Sequence, residues 1–129
     1  MTYQVSDLMA NPALDLGAVT IHSGTLRLSR SGIAMVKSGE PAQPFGFFLP
    51  DATPLDGTAP QPERLIAEAW LMVCRSHSSG NIMGVEHVSA SYEPDPRGGA
   101  ARWLQLAGTA HAGLGIKIGY RVTVQRAGA

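Results

Sequence analysis

The clearest pattern in the chain lies near its C-terminal end. There Ile116, Ile118, Tyr120, Val122 and Val124 alternate with Lys117, Gly119, Arg121, Thr123 and Gln125. Successive side chains on a strand point to opposite faces, so this period of two predicts a strand with one face in a core and the other in water. The alternation recurs over residues 85–92, where Val88, Ala90 and Tyr92 oppose His87, Ser89 and Ser91. Over residues 102–107, Leu104 and Leu106 point inward and Trp103 and Gln105 outward. Further upstream, Val19 and Ile21 alternate with Thr20 and His22, and then Leu26 and Leu28 with Thr25, Arg27 and Ser29. The apolar parity changes from odd to even across Ser23-Gly24, which predicts a bulge or tight turn at Gly24. Residues 33–37 and the aromatic run 45–49 are further short strands.

Between these runs the punctuation is strong. Residues 37–44 hold Ser38, Gly39, Pro41 and Pro44, and residues 93–99 read Glu-Pro-Asp-Pro-Arg-Gly-Gly. Both are turn chemistry. Residues 50–62 form the longest irregular segment, with four prolines, and read first as a crossing between sheets and second as a loop that covers something. Residues 1–17 form a mixed N-terminal arm, with room for a helical turn at residues 6–9 that Pro12 would end. Residues 63–75 (Glu-Arg-Leu-Ile-Ala-Glu-Ala-Trp-Leu-Met-Val-Cys-Arg) fit two states. As a strand they are apolar on both faces, hence central and buried. As a helix they have Pro62 at the first turn and charges that suit both ends. The strand-like surroundings favour strand. The reading is an all-β fold: an antiparallel β-sandwich of about six to seven short strands over residues 18–129, in one domain after the arm. The alternative is an α+β hotdog with residues 63–75 helical.

Composition narrows this further. Of 129 residues, 44% are hydrophobic and only 16% charged, enough to build a core in a chain of single-domain size. Formal net charge is zero, without the basic stripe that nucleic-acid binding requires. Little self-repulsion opposes association. The one cysteine, Cys74, permits no disulfide within the chain and sits in an apolar run, as an inert buried thiol does. No run reaches the ~20 apolar residues of a membrane span, and residues 1–7 do not read as a secretory signal. The expectation is synthesis in a cytoplasm, with release in a particle such as a phage left open.

The order of the pieces over residues 21–125 resembles the H-type lectin domain. These pieces are Ser23-Gly24 before Leu26 and Leu28, the aromatic strand at 45–49, a Pro-led apolar strand from Pro62, the strand ending at Tyr92, a Pro/Gly turn into Trp103, and a last strand with Tyr120. The resemblance implies a small antiparallel β-sandwich that assembles as trimers or hexamers, as in snail agglutinins and phage tail proteins. That family binds sugar through a Trp-His pair before the final hairpin; here Gly108-Thr109-Ala110-His111 offers the histidine alone. With residues 63–75 helical, the chain instead resembles a hotdog domain, with a break at Tyr92-Glu93-Pro94 and Gly98-Gly99. That resemblance implies an acyl-thioester hydrolase or dehydratase. The stretch Phe47-Phe48-Leu49-Pro50 lacks the histidine that the dehydratase branch places there.

Candidate chemistry is sparse. His22, His77, His87 and His111 show no metal-ligand spacing. Glu86 and His87 are strand neighbours facing opposite sides, and neither Gly-x-Ser-x-Gly nor a Ser-His-Asp set can be drawn. Gly113-Leu114-Gly115 reads as a hairpin. No catalytic residue, metal or cofactor is expected. The expected function is a non-enzymatic binding or assembly module, engaging a glycan or a protein partner. The candidate ligand-binding residues are Trp103, His111 and Arg102, because an outward aromatic face beside polar tips suits sugar stacking or a protein anchor. They sit on the unit 102–115, which suggests one rim. The competing reading makes Trp103 subunit interface. Low charge and a strand apolar on both faces point to a homo-oligomer, a trimer first, without nucleic acid or membrane.

Overall fold

The computed structural model describes residues 2–29, 42–62, 64–74, 84–94, 98–112 and 115–126. Eight strands are seen among them: β1 (Gln4–Ala10), β2 (Leu14–Asp15), β3 (Val19–Ser29), β4 (Gln43–Phe48), β5 (Arg64–Cys74), β6 (Gly84–Pro94), β7 (Arg102–His111) and β8 (Ile116–Gln125). All pairings are antiparallel. One sheet runs β1-β3-β8-β5, with β2 also on β3; the other runs β4-β7-β6. The two sheets pack face to face as a β-sandwich. Tyr3 N donates to Pro44 O at 2.9 Å, which joins the sheets along one edge, and β5 and β6 lie side by side along the other.

The core is where the period of two placed it. Ile116, Ile118, Tyr120, Val122 and Val124 on β8 are all buried, against Leu104 and Leu106 of β7 and Phe45 and Phe47 of β4. The Tyr120 ring meets Phe47 edge-on, with centroids 5.1 Å apart. Tyr92 is buried too.

Residues 64–74 are strand, and no helix occurs among the described residues, so the hotdog alternative falls, and with it the reason to expect an acyl-thioester hydrolase. The strand is not central, however. β5 has β8 on one side and ends the sheet. Leu65, Ala67 and Ala69 face the core while Ile66, Trp70, Met72 and Val73 are exposed. A strand apolar on both faces is therefore an edge strand whose second face is open.

Three further expectations are corrected. Residues 6–9 are strand, not a helical turn, and the N-terminal segment is a pairing partner of β3. Tyr3 is buried, and its hydroxyl accepts the Ala112 N–H at 3.1 Å. No bulge occurs at Gly24: β3 pairs with β8 in unbroken register from Val19 to Leu28. Bulges instead lie on β5, after Leu71, on β1, after Ser6, and on β6, after Glu86; on β1 and β6, Asp7 (φ 51°) and His87 (φ 55°) take the left-handed conformation that Asp and His tolerate better than most residues. The link expected from residue 108 onward is strand as far as His111. The strand at 33–37, the loop at 76–81 and the tip of the turn at 95–97 lie outside the described residues.

Candidate functional site

The unbroken register of β3 decides what its end contains. With Leu26 and Leu28 inward, Thr20, His22 and Gly24 are inward as well, and Val19 and Ile21 point out. The parity change in the sequence is thus not a backbone irregularity. It is a strand that turns polar side chains toward the interior at one end. Gly24 makes this possible next to Tyr120, its cross-strand partner: a Cβ there would lie 2.6 Å from the Tyr120 hydroxyl and 2.5 Å from Met9 O.

This polar end opens into a cleft between the sheets. A smaller lobe of about 130 Å³ is lined by Asp15, Thr20, His22, Asp51 and Arg126. A larger one of about 370 Å³ is lined by Pro54, Leu55, Pro60 and Pro62. Thr53, Tyr92, Val124 and Arg126 line both. The larger lobe has the volume of a small-molecule site, and the smaller one is less than that.

His22 is only 8% exposed, and it lines the smaller lobe. Burial disfavours the charged imidazolium and holds its pKa below the ordinary 6.5; the Asp51 carboxylate works against this, and the Arg126 guanidinium adds to it. Burial likewise raises the Tyr92 and Tyr120 phenols, so both stay protonated. Arg126 is pinned, donating to Thr20 Oγ1 at 3.1 Å and Gly17 O at 3.3 Å.

The long segment 50–62 crosses from the three-stranded sheet to the five-stranded one, the first of its two readings, and also forms one wall of the cleft. Leu55 and Arg102 exchange backbone hydrogen bonds at 2.8 Å in both directions. The Arg102 guanidinium donates to Ala59 O at 2.7 Å and Asp56 O at 3.3 Å. Asp56 is itself fixed by Thr58, whose N–H and hydroxyl both donate to its carboxylate. Arg102, expected beside Trp103 at a ligand surface, is thus committed to holding this wall.

Trp103 and His111 are not brought together. They are the second and last residues of one strand, eight residues or roughly 26 Å apart at the usual rise per residue, so they lie near opposite rims. Trp103 is half-buried on the outer face of the three-stranded sheet, opposite Glu93. His111 has Glu86 as its neighbour, Nε2 to Oε1 at 3.6 Å.

The outer face of the other sheet is the second notable surface. Trp70 of β5 lies over Gly119 of β8, where a Cβ would fall 2.5 Å from the indole ring. Beside it Arg121 makes a bidentate pair with Glu68, with both hydrogen bonds at 2.9 Å. Register places Met9, Leu14, Ile66 and Val73 on the same face. The sequence marked this strand as apolar on both sides but not which side would stay uncovered.

No group of three or more His, Cys, Asp or Glu able to hold a metal occurs among the described residues. No described helix is long and apolar enough to cross a membrane. No family model matches the chain, and no curated protein and no solved structure matches it either.

Proposed function

We propose that this chain is a non-enzymatic β-sandwich module that works as an assembly of identical copies. The carrying observation is the outer face of the five-stranded sheet. Trp70 is 45% exposed there, with Met9, Leu14, Ile66 and Val73 around it and Leu16 and Met72 flanking them. At ~200 Å² for a fully exposed large side chain, these seven expose on the order of 700 Å², close to the ~800 Å² each partner contributes to a standard interface. Monomers rarely leave such a patch open.

A second copy suits this face better than a charged partner does. The charges at its centre, Glu68 and Arg121, neutralise each other, and the chain as a whole carries no net charge. Gly119 lets Trp70 lie flat, which keeps the face smooth enough for close packing. The order of assembly we propose is a trimer. The outer face of the three-stranded sheet, with Trp103, Gln105 and Thr109 along β7, then stays available for a carbohydrate or protein receptor.

Size-exclusion chromatography with light scattering tests the assembly. Wild type should elute as an oligomer, and Trp70→Glu should shift it toward monomer while retaining the β-sheet circular dichroism signal. Trp103→Ala should leave the order unchanged. If Trp103→Ala dissociates the assembly and Trp70→Glu does not, the interface is on the other sheet.

A further inference from the structure

We infer that the cleft at the polar end of β3 is a binding site for a small neutral polyhydroxylated molecule, of monosaccharide size. This goes beyond assembly and uses surfaces that the assembly face does not. Three independent features point to it.

The first is the inversion of β3. At Val19–His22 the strand turns its apolar side chains outward and places Thr20 and His22 inward. A strand built only for stability would do the reverse. The second is His22, more than nine-tenths buried as a residue and set in the wall of a cavity, where its ring is offered to whatever fills that space. The third is the wall opposite, which is not left loose: Arg102 and Thr58 fix the 50–62 segment that carries Asp51 and Thr53.

The lining selects the ligand class. Asp51 offers a carboxylate, which accepts from two neighbouring hydroxyls. His22, Thr53 and Tyr92 add groups that donate or accept. Two carboxylates, Asp15 and Asp51, face one guanidinium that already donates to Gly17 O and Thr20 Oγ1. An anion therefore meets net negative charge, and a cation meets Arg126. Val124, Leu55 and the prolines of the larger lobe supply the apolar surface that the CH face of a sugar ring covers.

The test is a titration followed by ¹H–¹⁵N correlation spectra, with glucose, galactose and N-acetylglucosamine as probes. Sodium sulfate and glycine serve as the anionic and zwitterionic comparisons. At millimolar concentration at least one sugar should give saturable shifts at residues 20–22, 51–55 and 124–126. Asp51→Asn should weaken that sugar by about tenfold or more, as for loss of a hydrogen bond to a charged group. Asp51 is exposed, so this variant keeps its fold, which the spectrum itself verifies. The inference is overturned if no sugar shifts these residues, if sulfate or glycine shifts them equally, or if Asp51→Asn binds as tightly as wild type. Running the titration on Trp70→Glu as well separates the two proposals, since the cleft should respond whether or not the chain assembles.

Discussion

Single residues carry the two faces of the sandwich apart. Val122 is fully buried between the sheets, while Thr123, its neighbour, points outward. Val122→Ala should cost about 1–3 kcal/mol, as for truncation of a buried aliphatic group, and Thr123→Ala about 0.5 kcal/mol or less. Urea unfolding at matched protein concentration measures both, and equal costs would contradict the facing. His22 makes stability depend on pH. Its folded pKa lies below the ordinary 6.5, so between the two values the unfolded chain binds the extra proton. The contribution of the neutral ring is therefore complete above 6.5 and falls away as pH drops below it. Asp51, which opposes this, and Arg126, which reinforces it, are the charges felt at the ring. Wild type should lose more stability than His22→Gln on going from about pH 7 to about pH 5. A variant that loses as much would show that burial of His22 is not the cause.

At the scale of elements, alternation made β6, β7 and β8 legible, because one face of each packs on a core and the other does not. Two strands were harder, for opposite reasons. β5 has no alternation to read; its composition suits a buried strand, and its position at the edge follows from pairing with β8, which no local pattern records. β3 has alternation that changes parity. A bulge is the cheapest local explanation, but the register with β8 holds throughout, and the polar inner end belongs to the cleft instead. The ligand-facing residues His22, Asp51 and Arg126 were not picked out because they come from three distant parts of the chain. Only the parity change at Ser23-Gly24 marked the place. Gly24→Ala tests the packing that keeps β3 straight there: a Cβ meeting Met9 O and the Tyr120 hydroxyl should destabilise the fold by about 1–3 kcal/mol. Unchanged stability in thermal unfolding would mean that Tyr120 has room to move. Gly119→Ala should instead push Trp70 off the sheet and weaken self-association more than folding, since Trp70 is partly free.

For the whole molecule, the two sheets differ in what they leave uncovered. The three-stranded sheet turns Ser89, Ser91, Gln105 and Thr109 outward, while the five-stranded sheet turns out Met9, Leu14, Ile66, Trp70 and Val73. This asymmetry is the reason to read the chain as one part of an assembly. A copy added to the apolar face removes it from water and leaves the end cleft and the polar sheet exposed. Sedimentation equilibrium of the wild-type protein over a micromolar concentration range tests this most directly. The mass should be a multiple of the 13.6 kDa chain, three times it for the trimer. A single species of 13.6 kDa across that range would contradict it.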